Sequence, residues 1–152
     1  ESEVVTAGEE IHLGSGAVLK VMWPLASLEG ERIEDPNAGS IVTLLTYGDS
    51  TVLLTGDIGV EEELHLIPNM PQIDVLKVGH QGSQTSSAER FLRAIKPSYA
   101  VISVGENNYG HPHESVVNRL EDIGAFILRT DLNGDVRIVS DGGEPEVATF
   151  DL

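Results

Sequence analysis

Four short apolar runs constrain this chain more than any other feature: Ile41–Thr46 (IVTLLT), Val52–Thr55 (VLLT), Ile73–Val78 (IDVLKV) and Tyr99–Val104 (YAVISV). Each is too short for a core helix, rich in β-branched residues and bounded by Gly, Pro, Asp or Ser, so each reads as a strand. The near-continuous apolar character of Ile41–Thr46 and Val52–Thr55 predicts strands buried on both faces, and Tyr99–Val104 reads as another buried strand. Helical stretches separate them. Gly59–Ile67 is a short acidic helix stopped by Pro68. Ser86–Ile95 is a helix with Ser86 or Ser87 as its cap and Phe91, Leu92 and Ile95 as its apolar stripe, and Glu114–Ile123 closes with Gly124 at C′.

Around this alternation, Ala17–Trp23 (AVLKVMW) reads as a strand ended by Pro24, and 25–39 as a long loop. The first two apolar runs flank Gly48-Asp49-Ser50 and form a hairpin. Phe126–Arg129 and Val136–Val139 flank Asn133-Gly134, which predicts a second hairpin, and Val147–Phe150 reads as an edge strand. Residues 1–15 carry little pattern. The fold class is α/β, with a mixed sheet covered by helices on at least one face. Functional loops are expected where strands hand over to helices.

The chain has 152 residues, one domain's worth, and no cysteine, which excludes disulfides, thiolate catalysis and Cys-ligated zinc. No stretch approaches the roughly 18–20 apolar residues of a transmembrane segment. Asp and Glu outnumber Lys and Arg by 25 to 9, a formal charge of −16. A surface this acidic repels phosphate backbones at long range, which argues against a broad basic DNA-binding face but leaves room for a small metal-assisted site.

Three strand-to-helix junctions carry the unusual residues. In the first, Thr55-Gly56-Asp57-Ile58-Gly59 places a carboxylate between glycines, able to ligate a metal or to cap the next helix. The second, Lys77-Val78-Gly79-His80-Gln81-Gly82-Ser83, sets His80 just past a strand; Ser83, Thr85 and Ser86 follow as hydroxyls able to cradle an anion. Lys77 lies in a strand among apolar neighbours and is expected to snorkel to a partner such as Asp74 or Asp57. The third, Asn107 to Ser115, holds His111 and His113, either of which serves a turn, a cap or a ligand. His12 and His65 read as surface residues, and Glu61-Glu62-Glu63 as a solvated helix face. One Asp and one or more His at successive strand ends match the logic of metal-assisted hydrolysis, although Asp57, His80 and His111 are too few for a two-metal site.

Together, residues 40–59 (SIVTLLTYGDSTVLLTGDIG), 74–87 (DVLKVGHQGSQTSS) and 96–113 (KPSYAVISVGENNYGHPH), followed by Arg129-Thr130-Asp131 and Asn133-Gly134, resemble the metallo-β-lactamase-like domain of ComEC-type DNA-internalisation (competence) proteins. The resemblance implies an αββα sandwich, of which this chain supplies mainly the C-terminal half, as a single domain over 1–152 cut from a longer chain. It implies a divalent metal, Mn²⁺ or Zn²⁺, with Asp57 and His80 as ligands and His111 and Lys77 as catalytic residues. The implied activity is that of a DNA phosphodiesterase or nuclease.

The partners it implies are single-stranded DNA, the upstream half of the same domain and the membrane channel portion of the parent. The parent would lie in the bacterial cell membrane, with this piece soluble. Two departures stand out. Gln81 replaces the second His of the family's G-H-H-G-S loop, and the H-x-H-x-D-H segment is absent from this chain. The isolated chain is therefore expected to be a weak or inactive catalyst. A catalytically degraded docking module on a DNA-uptake channel, or a small-molecule hydrolase on the same fold, are the alternatives.

Overall fold

In the computed structural model, which describes residues 4–150, the chain runs antiparallel through its first four strands and parallel through the next three. The strands are β1 (Glu10–Gly14), β2 (Ala17–Trp23), β3 (Val42–Tyr47), β4 (Ser50–Leu54), β5 (Val75–Lys77), β6 (Tyr99–Ile102) and β7 (Phe126–Arg129), and they lie in that order across one seven-stranded sheet. Pairing changes from antiparallel to parallel at β4 and β5, where Val52, Leu53 and Leu54 face Val75, Leu76 and Lys77. From there each crossover carries a helix: α1 (Val60–Leu66), α2 (Glu89–Ile95) and α3 (Glu114–Asp122). Two further strands, β8 (Asp135–Val139) and β9 (Glu146–Phe150), form a separate antiparallel ribbon.

The core lies between one face of the sheet and the helices. Val42, Leu44, Leu53, Leu76, Ala100 and Ile102 from the sheet meet Leu66, Phe91, Leu92, Ile95, Val116 and Leu120 from the helices. The predicted stripe Phe91, Leu92, Ile95 is thus the buried face of α2. The opposite face of the sheet is only partly covered. Leu45 and Val52 are half-buried and Leu54 is exposed, so the strands are not sealed on both sides as their sequence predicted.

Three local expectations are corrected. Asn133-Gly134 does not turn a hairpin between β7 and β8. A single helical turn, α4 (Thr130–Asn133), intervenes because Asn133 Oδ1 accepts from the Arg129 backbone N–H (2.8 Å), and β8 pairs with β9 instead. Neither Ser86 nor Ser87 caps α2. Its N-cap is Ala88, with no side-chain cap of its own, and the backbone N–H groups of Ser87 and Ala88 donate to Glu63 on α1 (2.5 and 2.7 Å). Glu63 is therefore not part of a solvated face but 1% exposed. The loop over 25–39 is broken by a 3₁₀ turn at Pro36–Gly39, and β1 forms within the weakly patterned N-terminal stretch, of which residues 1–3 lie outside the described residues.

Candidate active site

β4, β5 and β6 are adjacent and parallel, so their C-terminal ends open on the same edge of the sheet. The loops leaving those ends carry Asp57, His80 and His111, the three residues the sequence singled out. The Asp57 turn is held by a contact to the loop before β3: Ser40 Oγ accepts from the Asp57 N–H (3.1 Å). Gly56 has φ +56°, and a Cβ there would stand 2.9 Å from the Ser40 Cβ, so glycine allows the approach.

The His80 loop is strained. His80 and Gln81 both have positive φ, 48° and 53°, which costs of order 1–3 kcal/mol per non-glycine residue. Surrounding bonds over-determine it. His80 N–H donates to Gly56 O (3.1 Å), Thr55 Oγ1 donates to Lys77 O (2.8 Å), and Ser86 Oγ donates to Gly79 O (2.9 Å). The hydroxyls expected to cradle an anion are thereby taken up: Ser86 bonds the backbone, and Ser83 Oγ and Thr85 Oγ1 bond each other (3.0 Å).

Gly82 joins the second and third loops. Its carbonyl accepts from His113 N–H (2.8 Å), and a Cβ there would lie 2.6 Å from the Pro112 Cβ. As a result His111 comes edge-on to His80, with ring centroids 5.7 Å apart. The buried His111 Nδ1 has no hydrogen-bond partner among the described residues. Burial, followed by the neighbouring His80 and His113, pushes the His111 pKa below the ordinary imidazole value, with Asp57 opposing. A neutral ring with one unpartnered buried nitrogen is able to accept a proton, a hydrogen bond or a metal. His113 instead caps α3, its Nδ1 accepting from Ser115 N–H (3.2 Å).

Lys77 and Asp57 line an open cleft of about 460 Å³ with Gln81, Ser103, Val104, Gly105 and Thr130. Burial lowers the Lys77 pKa, and the Asp57 carboxylate resists that fall. The Lys77 ammonium donates to the Val78 carbonyl (3.3 Å) and forms no ion pair with Asp57; Asp74 is taken by the Thr51 N–H and hydroxyl (2.7 and 2.8 Å).

The donors at this edge fit a divalent metal in kind: a carboxylate, an imidazole and a second imidazole with a free nitrogen. They do not fit in number, because among the described residues no three His, Asp or Glu side chains are grouped closely enough to hold an ion.

Sequence reasoning missed three contributors. Thr130 ties the loop after β6 to β7: the Val104 N–H donates to its hydroxyl (2.8 Å), which donates back to Val104 O (2.7 Å). Asn107 frames the His111 loop from within, and Glu63 fixes the loop after His80 from α1. Each left a trace in sequence: Asn107 opens the third junction, Thr130 lies in the Arg129-Thr130-Asp131 stretch, and the spacing of Glu63 from Val60 and Leu66 places it on the apolar stripe of α1.

The metallo-beta-lactamase superfamily profile matches residues 25–106. ComE operon protein 3 of Bacillus subtilis is 37% identical over 134 residues, covering 85% of this chain and 17% of that protein. Recombination protein 2 of Haemophilus influenzae is 40% identical over 103 residues (67% and 13%), and competence protein ComA of Neisseria gonorrhoeae 42% over 104 (66% and 15%). The chain thus spans 13–17% of the length of these relatives. A solved structure from Parabacteroides distasonis, described as a candidate metal-dependent hydrolase, superposes with a TM-score of 0.58 at 16% identity. That match covers 85% of this chain and 57% of the other, and it shows the fold alone.

Proposed function

The chain belongs to the metallo-beta-lactamase superfamily, and on that premise we propose that it is part of the metal-dependent hydrolase domain of a bacterial DNA-uptake protein. The proposed substrate is single-stranded DNA and the reaction phosphodiester hydrolysis. One observation carries the reading: Asp57, Lys77, His80 and His111 gather at the ends of three adjacent parallel strands, in a chain whose relatives include a competence protein.

Asp57 and His80 are the proposed metal ligands, sharing a Mn²⁺ or Zn²⁺ ion with donors from another segment of a longer protein. When bound, such an ion supplies Lewis acidity toward a phosphoryl oxygen and lowers the pKa of water. The chain's own residues do the rest. Lys77, whose charged form Asp57 favours against burial, opposes the negative charge that builds on the phosphate. His111, neutral and unpartnered at Nδ1, receives the proton given up by the attacking water.

The upstream half of the domain is the proposed cover for the open face of the sheet. There Leu13, Leu45, Val52, Leu54, Ile138 and Pro145 border an apolar groove of about 320 Å³. No helix among the described residues is long and apolar enough to cross a membrane. Attachment to a channel portion in the bacterial membrane is thus assigned to other parts of the parent.

Asp57→Ala in the longer protein tests the reading. Loss of Mn²⁺- or Zn²⁺-dependent cleavage of single-stranded DNA, with the protein still folded, is the expected result; unchanged cleavage overturns it. Calorimetric titration of this chain with Mn²⁺ and Zn²⁺ is expected to show weak binding, lost in Asp57→Ala. A second reading, a docking module whose site has decayed, is favoured by one observation, the lack of a three-donor cluster among the described residues. It predicts a complex with the channel portion that is indifferent to Asp57 and His80 substitution.

A further inference from the structure

Tyr109 is 84% exposed, the most open of the large apolar side chains among the described residues, in a protein whose aromatic residues are only one Trp, three Tyr and three Phe. A ring this exposed gives up the free energy that burial would have supplied, about 1.5–3 kcal/mol for a large side chain. It is nevertheless held in place. Asn107 Oδ1 accepts from the Tyr109 and His111 backbone N–H groups (3.1 and 3.0 Å), and its Nδ2 donates to Gly105 O and His111 O (both 2.9 Å). Both ends of that amide are used, so the loop is a built frame rather than a loose tip. One face of the Tyr109 ring stacks on His111, with centroids 5.9 Å apart and planes 25° from parallel. His111 thus meets both the exposed Tyr109 ring and His80, and the three rings form a row of contacts.

The charge around this row is poor for holding phosphate. The protein carries −16 overall, Arg129 is paired with Asp131 (2.6 Å), and Lys77 is the one cation the proposed chemistry assigns to the phosphate. A single-stranded nucleic acid that binds here has few cations for the rest of its backbone, which leaves the faces of its bases.

We infer that Tyr109 is a stacking platform that receives one nucleobase beside the phosphate presented to His111 and His80, and so selects unpaired strands with intact bases. This rests on the single-stranded DNA reading above. A base in a duplex has both faces covered by its neighbours; an unpaired base can lay one face on the free side of the phenol ring and extend the row by one. Tyr109 touches no reacting atom in this arrangement and acts by positioning.

The test is equilibrium binding of the 152-residue chain, without divalent metal, to a fluorescein-labelled oligothymidylate and to an abasic oligomer of equal length. Fluorescence anisotropy is read at about 50 and about 200 mM NaCl. The wild-type chain is expected to bind the oligothymidylate about tenfold more tightly than the abasic oligomer. Tyr109→Ala should erase that difference, Tyr109→Phe and Tyr109→Trp should keep it, and the added salt should weaken binding less than about fivefold. An unchanged urea midpoint for Tyr109→Ala, followed through Trp23 fluorescence, checks that the fold is intact.

If Tyr109→Ala binds the oligothymidylate as tightly as wild type, or wild type binds the abasic oligomer equally well, the platform is refuted while the DNA reading stands. If the wild-type chain binds neither oligomer, the platform is likewise refuted, while the substrate reading is decided separately by cleavage in the longer protein with and without Asp57→Ala.

Discussion

Glu63 supplies the sharpest test of how the site loop is held. Its carboxylate is 1% exposed and receives two consecutive backbone N–H groups, those of Ser87 and Ala88. Arg119 grips the same peptide from the other side, donating to Ser87 O (2.7 Å). Burial outweighs these bonds and raises the Glu63 pKa from 4.5 to about 7. The folded state therefore holds a proton that the unfolded chain has lost between those two values, and stability falls as pH rises through that window.

At 1.36 kcal/mol per pH unit the full effect is about 3 kcal/mol, of which about 2 to 3 kcal/mol lies between pH 5 and pH 8. Glu63→Gln removes the titration, but its amide NH2 must face one of the two backbone N–H donors, so the variant starts about 1–3 kcal/mol below wild type at pH 5. The variant-minus-wild-type difference is expected to rise by about 2 to 3 kcal/mol from pH 5 to pH 8, moving the relative urea midpoint by about 1 M. His111 contributes with the opposite sign, since its lowered pKa makes stability rise with pH below the ordinary imidazole value. Taking the variant-minus-wild-type difference cancels that contribution. Urea unfolding read through the single Trp, Trp23, at several pH values measures it. A difference that stays flat from pH 5 to pH 8 would mean that Glu63 is already ionised in the folded protein, and the argument from burial would be wrong.

Further outcomes follow from the junctions. Gly82→Ala is expected to destabilise by about 3 kcal/mol in the same urea assay, because its Cβ meets Pro112 at 2.6 Å and φ is +80°. His80→Gly removes a strained left-handed residue and is expected to stabilise by about 1 kcal/mol while abolishing the proposed metal contribution, which calorimetry with Mn²⁺ reads separately. Asn107→Ala removes the internal frame of the Tyr109 loop. It should cost about 1–2 kcal/mol and speed limited proteolysis between 105 and 111, with protection unchanged elsewhere.

What the sequence could determine were features that depend on neighbours along the chain. The four apolar runs fold as strands, α2 buries Phe91, Leu92 and Ile95, and Gly124 ends α3 with φ +77°, because periodicity and backbone freedom are local properties. The candidate residues were legible for a related reason: Asp57, His80 and His111 follow successive strands, and parallel pairing brings such loops to one edge.

Tertiary structure decided what local rules left open. Asn133-Gly134 has a hairpin's composition, yet Asn133 bonds back to Arg129 and a helical turn wins. Ser86 and Ser87 look like caps, but a carboxylate 24 residues earlier in sequence takes the Ser87 N–H. Glu63 belongs to an acidic run that reads as solvated, and only the packing of α1 against the neighbouring loop buries it. In each case a partner distant in sequence, or the choice between two nearly equal local bonds, set the outcome; the stripe position of Glu63 hints at burial, but no pattern in the residues names its partners.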